Sequence, residues 1–208
     1  EPNPNYTFDS PSLQYNPVDR YKLGADGSVT YYDNKGGDTV DYLFVGGDLN
    51  NEIMVTDTSL LKNIERTTYT ESNGTKHNLQ IMNVSNGSFK DIKSIFEFSA
   101  SNSSSEFSYQ SFLNGKKFIN TTFLPSAELS ATTLIRRNGK LLHHVHSHPG
   151  QDYFAPSPGD ISSASYLINK FGTSLEMYSP LLGTYKNYNG ESSSFELEEI
   201  MLTPKNKK

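Results

Sequence analysis

The sequence contains no cysteine and no tryptophan. Without cysteine there is no disulfide scaffold, no thiolate nucleophile and no cysteine-ligated metal. No stretch approaches the roughly 18 consecutive apolar residues that a spanning helix needs. A cationic excess is also missing: 18 Lys and Arg stand against 23 Asp and Glu, for a net charge of −5. That balance argues against general binding to phosphate backbones and to anionic membrane surfaces. Neither a nucleic acid nor a membrane is therefore expected as a partner. The opening Glu1-Pro2-Asn3 has no Met and no apolar signal segment. The chain is expected to be a processed or excised piece of something longer.

What is present is a chain able to fold. Its 13 Tyr and 12 Phe are too many for a disordered segment. At 208 residues it can bury a core unaided, and about 150 residues per domain suggests one domain plus an extension, or two small domains. Residues 1–60 read as an irregular, proline-bearing leader followed by a β-rich section, and 61–208 as the main unit. Within the front section, 20–23 and 28–32 flank Gly24-Ala25-Asp26-Gly27, where Asp-Gly suits a hairpin turn. A strand over 40–45 has 51–56 as its partner.

From Ser88 to Ala100 the period becomes helical, with Phe89, Ile92, Ile95, Phe96 and Ser99 on one face. Asn86 or Ser88 can cap its start. Glu106 to Phe112 then alternates as a strand, Asn114-Gly115 turns, and 118–123 returns. A further hairpin is expected from 132–136 and 140–148 around Asn138-Gly139. Ser157-Pro158-Gly159-Asp160 opens a second helix, with Ser157 as N-cap and Pro158 at the favoured first position. Ile161, Ala164, Ser165 and Ile168 form its apolar stripe, and Gly172 is the expected end. Strands over 174–178, 183–188 and 194–202 follow. The pattern predicts an α+β protein, a mixed sheet flanked by helices with a β-rich N-terminal extension.

One segment carries chemistry: Leu141-Leu142-His143-His144-Val145-His146-Ser147-His148-Pro149-Gly150. On a strand, alternate side chains share a face, so His146 and His148 lie together with Cα atoms about 6.6 Å apart. Two imidazoles so placed can converge on one zinc. Asp160, in the first turn of the following helix, is the candidate third ligand, because the helix dipole favours its ionised form there. Two histidines and an aspartate leave a fourth position open, as a catalytic zinc requires. His144 shares the metal face but is expected to be a neighbour, not a ligand. His143 points away, and His77 is isolated.

His146-Ser147-His148-Pro149 followed by Ser157-Pro158-Gly159-Asp160 resembles the JAMM motif of the JAB/MPN metalloprotease superfamily. Eight residues lie between His148 and Ser157, one more than in the usual pattern, and the extra one falls in the loop Gly150 to Pro156, which can absorb it. The stretch over roughly 88–190 is similar to the JAB-like C-terminal toxin domains of Bacteroidetes Rhs-type polymorphic toxins. The section with Tyr21-Lys22-Leu23 and Asp26-Gly27-Ser28-Val29 is similar to the linker that precedes them. The resemblance implies a JAB/MPN (cytidine-deaminase-like) metalloprotease domain over 61–208, with Zn2+ held by His146, His148 and Asp160. It further implies a glutamate as general base and Ser157 as a stabiliser of the oxyanion. Glu106, at the head of a strand, is the expected base. Glu97 lies within the first helix, and Glu128 in a turn.

The function these residues imply is a zinc-dependent peptidase or isopeptidase, the effector domain of a secreted polymorphic toxin. Its partners would be a protein or peptide substrate and a cognate immunity protein. Its place would be a target cell, reached as part of a larger toxin. The alternative is a non-catalytic interaction module of the same fold. A zinc deaminase is disfavoured, since those enzymes use a Pro-Cys-x-x-Cys ligand pair and cysteine is absent here.

Overall fold

A computed structural model describes residues 18–33, 39–71, 73–127, 130–150 and 155–189. The expected leader over 1–17, the strand over 194–202 and Glu128 lie outside the described residues. Among these, the protein is α+β, with three helices and two mixed sheets. The strands are β1 (Asp19–Leu23), β2 (Val29–Asp33), β3 (Asp41–Val45), β4 (Asp48–Val55), β5 (Ile64–Thr70) and β6 (Lys76–Asn83). After helix α1 (Phe89–Ser101) come β7 (Ser108–Phe112) and β8 (Lys117–Thr121). The chain continues through α2 (Ala131–Asn138), β9 (Leu141–Ser147), α3 (Pro158–Phe171), β10 (Ser174–Ser179) and β11 (Thr184–Asn187).

The front sheet has the order β2-β1-β3-β4, and the large sheet β11-β10-β9-β7-β8-β6-β5. β9 and β10 are parallel, joined by a crossover through α3, while β7 and β9 are antiparallel. This topology sets the start of α3 beside the end of β9.

Two cores cover the two faces of the large sheet. On one, Leu23, Val29, Leu43 and Val55 of the front sheet meet Ile95 and Phe96 of α1 and Val145 of β9. On the other, Leu134 of α2 and Ala164 and Leu167 of α3 pack on Leu141, Leu175 and Met177. Polar side chains stitch the front sheet in place. Buried Gln80 on β6 accepts from Val29 N at 3.0 Å and donates to Gly27 O at 3.3 Å. Buried Asp91 on α1 accepts from Thr56 Oγ1 at 2.6 Å and from Asp57 N at 3.2 Å. Burial alone would raise the Asp91 pKa, but these hydrogen bonds from Thr56 and Asp57 hold it below the usual carboxylate value.

Several expectations need correction. The segment 132–136 is not a strand but part of α2. Thr132, Thr133 and Ile135 favour strands locally, yet the helix buries Leu134 in the second core and leaves Arg137 to meet Glu65 at 2.8 Å. Tertiary packing overrides propensity here. Asn138-Gly139 consequently ends a helix and does not turn a hairpin. The antiparallel pair β5 and β6 is additional to the strands expected from sequence. β5 (IERTTYT) is mostly exposed and gives little alternation of apolar residues. The buried face of α1 holds Ile92, Ile95, Phe96 and Ser99, but Phe89 at its first position is 81% exposed. In α3 the buried positions are Ala164 and Leu167, and Ser165 faces solvent.

Candidate metal centre

The centre lies where β9 ends and α3 begins. Ser88 caps α1 by accepting from Asp91 N at 3.0 Å, and the start of α3 is capped in fuller form: Asp160 N donates to Ser157 Oγ at 3.2 Å and Ser157 N donates to Asp160 Oδ2 at 2.7 Å. This reciprocal box fixes the Asp160 carboxylate at the helix start. The strand pleat does the rest. His144 and His146 are paired with Leu175 and Met177 of the second core, whereas His143 and Val145 face the first.

His146 and His148 are buried, and their Nε2 atoms lie 2.9 Å apart. His146 Nε2 is 3.3 Å from Asp160 Oδ1, and His148 Nε2 is 3.4 Å from Asp160 Oδ2. The three donor groups lie within 4.8 Å of one another. Protons cannot satisfy this trio well. If both Nε2 atoms carried hydrogen toward the carboxylate, two N–H groups would face each other across 2.9 Å. If only one did, the other Nε2 would turn a bare lone pair toward a carboxylate oxygen. A cation among the three accepts from all of them. Edges of about 3.3 Å are also what tetrahedral bonds of about 2.0–2.1 Å require. The residues therefore fit a metal. Burial would raise the Asp160 pKa, but hydrogen bonds from His146 and His148, the nearby imidazole charge and Ser157 hold the carboxyl far below its usual range.

Glu106 is buried, and its Oε1 is 4.0 Å from His148 Nε2. It sits two residues before β7 rather than at its head. Its backbone N–H donates to Leu124 O at 2.8 Å. Phe107 beside it is bound twice to Ser147: Phe107 N donates to Ser147 Oγ at 3.0 Å, and Ser147 N donates to Phe107 O at 2.9 Å. The front sheet also reaches this segment. Ser105 Oγ donates to Asp26 O at 2.8 Å and Ser104 N to Ala25 O at 2.8 Å. Glu97 is elsewhere, accepting from Tyr185 Oη at 3.0 Å and pairing with Lys93 at 3.6 Å. His143 approaches Glu176 at 3.5 Å, and His77 pairs with Glu71.

A cleft of about 220 Å³ opens over the centre. Glu106, His144, His146, Ser157 and Asp160 line it, with Ala127, Ala131 and Leu167 as apolar wall. Two further members were not singled out by the sequence. Tyr188 is buried, its ring edge-on to His146 with centroids 5.5 Å apart and its hydroxyl 3.4 Å from His146 Nδ1. Burial and the charges of Asp160 and Glu106 push its phenol pKa up, so it remains a neutral hydroxyl. That oxygen is placed to accept from Nδ1–H, which leaves Nε2 unprotonated toward the centre. Ser126 joins Ala127 at the rim. Tyr188 lies far along the chain from the histidines, and no local pattern marks it.

The whole constellation from Glu106 to Asp160 falls within residues 84–165, which match a family model described as JAB-like toxin 1. That stretch, less than half of the chain, is similar to a JAB-like toxin domain. No curated protein and no solved structure matches the chain. The JAB-like toxin family suggests a metalloenzyme delivered to target cells, and the His146, His148 and Asp160 cluster is consistent with a metal site. The front sheet, β10, β11 and Tyr188 lie outside the matched stretch. No described helix is long and apolar enough to cross a membrane.

Proposed function

We propose that the protein is a zinc-dependent peptidase or isopeptidase, the effector part of a delivered polymorphic toxin of Rhs type. The observation that carries this reading is the convergence of His146 Nε2, His148 Nε2 and the Asp160 carboxylate, with a buried carboxylate in the same cleft. Zinc held by these three residues would supply Lewis acidity, making water nucleophilic near neutral pH and polarising an amide carbonyl.

The chain's own groups divide the remaining work. Glu106 accepts a proton from the attacking water and returns it to the amine nitrogen as the C–N bond breaks and a C–O bond forms. Ser157 Oγ already accepts from Asp160 N, so its own hydrogen is available to donate to the carbonyl oxygen in the cleft. Tyr188 orients His146. The substrate is a protein or peptide, and a cognate immunity protein is the proposed partner in the producing cell.

The test is hydrolysis by the zinc-loaded chain of linear peptides and of lysine-linked isopeptides, read by mass spectrometry. Glu106→Gln keeps size and hydrogen bonding but cannot take the proton. It should retain zinc and lose roughly 10²–10⁴-fold in rate. Full activity in Glu106→Gln would remove the assigned base. Activity that persists after complete zinc removal would defeat the metallopeptidase reading.

A further inference from the structure

His144 is 8% exposed and lines the cleft beside the three metal-binding groups, its ring centroid 5.6 Å from that of His146. Among the described residues, neither of its ring nitrogens has a hydrogen-bond partner. Burying such a group without partners costs stability, and a core position against Leu175 would accept an apolar side chain. His77, His143, His146 and His148 all have a polar neighbour. An uncharged imidazole offers one N–H donor and one nitrogen acceptor, and here both nitrogens are left unpaired beside the cleft.

A backbone peptide group offers the complement, one C=O acceptor and one N–H donor. A side chain of the substrate need not. We infer that His144 is a substrate-binding residue that hydrogen-bonds the main chain of the substrate next to the scissile bond. This inference rests on the peptidase reading. It makes recognition at this subsite depend on a peptide backbone, independent of the substrate's side chain. Binding strength is gained at the cost of folded-state stability, because the ring waits unpaired until substrate arrives.

The test compares two probes with the same zinc-chelating group, acetohydroxamate and acetyl-Gly-Gly-hydroxamate. Only the second carries a peptide backbone. Their dissociation constants are measured by calorimetry on the zinc-loaded chain. The preference for the peptide probe should fall about tenfold in His144→Phe and in His144→Leu, the second guarding against a misfolded first variant. It should recover in part in His144→Gln, which keeps a donor and an acceptor. Acetohydroxamate affinity and zinc content should not change. The melting temperature of the apolar variants should stay level or rise, a result that a merely structural histidine would not give.

An unchanged preference in both apolar variants overturns the inference and leaves the metallopeptidase reading intact; it would mean that water alone satisfies the ring. Loss of zinc from folded His144→Leu overturns it too, by making His144 part of the metal site. If the unaltered chain binds neither zinc nor either probe, the peptidase reading itself fails and takes this inference with it.

Discussion

The junction with the front sheet and the end of β9 both bury polar side chains, and they use them in opposite ways. At the junction, two buried side chains are turned toward partners on the neighbouring element. Gln80 serves Val29 and Gly27, and Asp91 serves Thr56 and Asp57. At the end of β9, His146, His148 and Asp160 are turned toward one another, and His144 toward a cleft. Satisfied groups hold elements together. Convergent donors leave a coordination shell for something else to complete. The same polar chemistry is cohesive in one place and receptive in the other.

The strongest way to break this contrast is to remove the receptive donors. His146→Ala/His148→Ala should abolish stoichiometric zinc, measured by elemental analysis, because three protein ligands leave no redundancy. Full zinc in that variant would mean the metal sits elsewhere. Next comes the cohesive side. Gly27 has φ +83°, and a Cβ there would lie 3.0 Å from the Phe107 ring. Gly27→Val should cost about 1–2 kcal/mol for the left-handed backbone alone, seen as a lower melting temperature. It should also slow hydrolysis, since Phe107 neighbours Glu106. Full activity at temperatures where the variant is folded would separate the front sheet from the site.

A smaller effect is expected at Tyr188. Tyr188→Phe keeps the ring against His146 and removes the hydroxyl, so zinc affinity should fall about tenfold, the low end for partners of metal-binding histidines. A competition titration with a chelator reads it, and an unchanged constant would leave Tyr188 as packing only. The smallest effect is expected at Glu97, which is tied to Tyr185 and Lys93 away from the cleft. Glu97→Gln should keep zinc and activity within about twofold, since an exposed ion pair contributes at most about 1 kcal/mol. An inactive Glu97→Gln beside an active Glu106→Gln would exchange their roles.

Much of the centre was legible because it is local. The strand pleat puts His146 and His148 on one face, and the Ser-Pro-x-Asp cap puts Asp160 at a helix start. Both follow from backbone geometry over a few residues. The hairpin at Asp26-Gly27 and the helices over 89–101 and 158–171 were readable for the same reason. Segment 131–138 was misread because two threonines and an isoleucine state a strand preference that burial of Leu134 overrules. The β5 strand was missed because a mostly exposed strand need not alternate in hydrophobicity.

By itself, then, the sequence determined the kind of chemistry: no thiol, no excess of cationic residues, and two histidines and an aspartate at spacings that strand and cap geometry translate directly into position. Only the tertiary structure decided which glutamate shares their cleft. Glu97 and Glu106 are nine positions apart, and what separates them is that α1 faces Tyr185 on one side of the sheet while Ser147 and Leu124 hold the segment of Glu106 toward the other. The same holds for Tyr188 and His144. Their contacts and their lack of them arise from strands brought side by side, and long-range register is set by packing rather than by any neighbour in the chain.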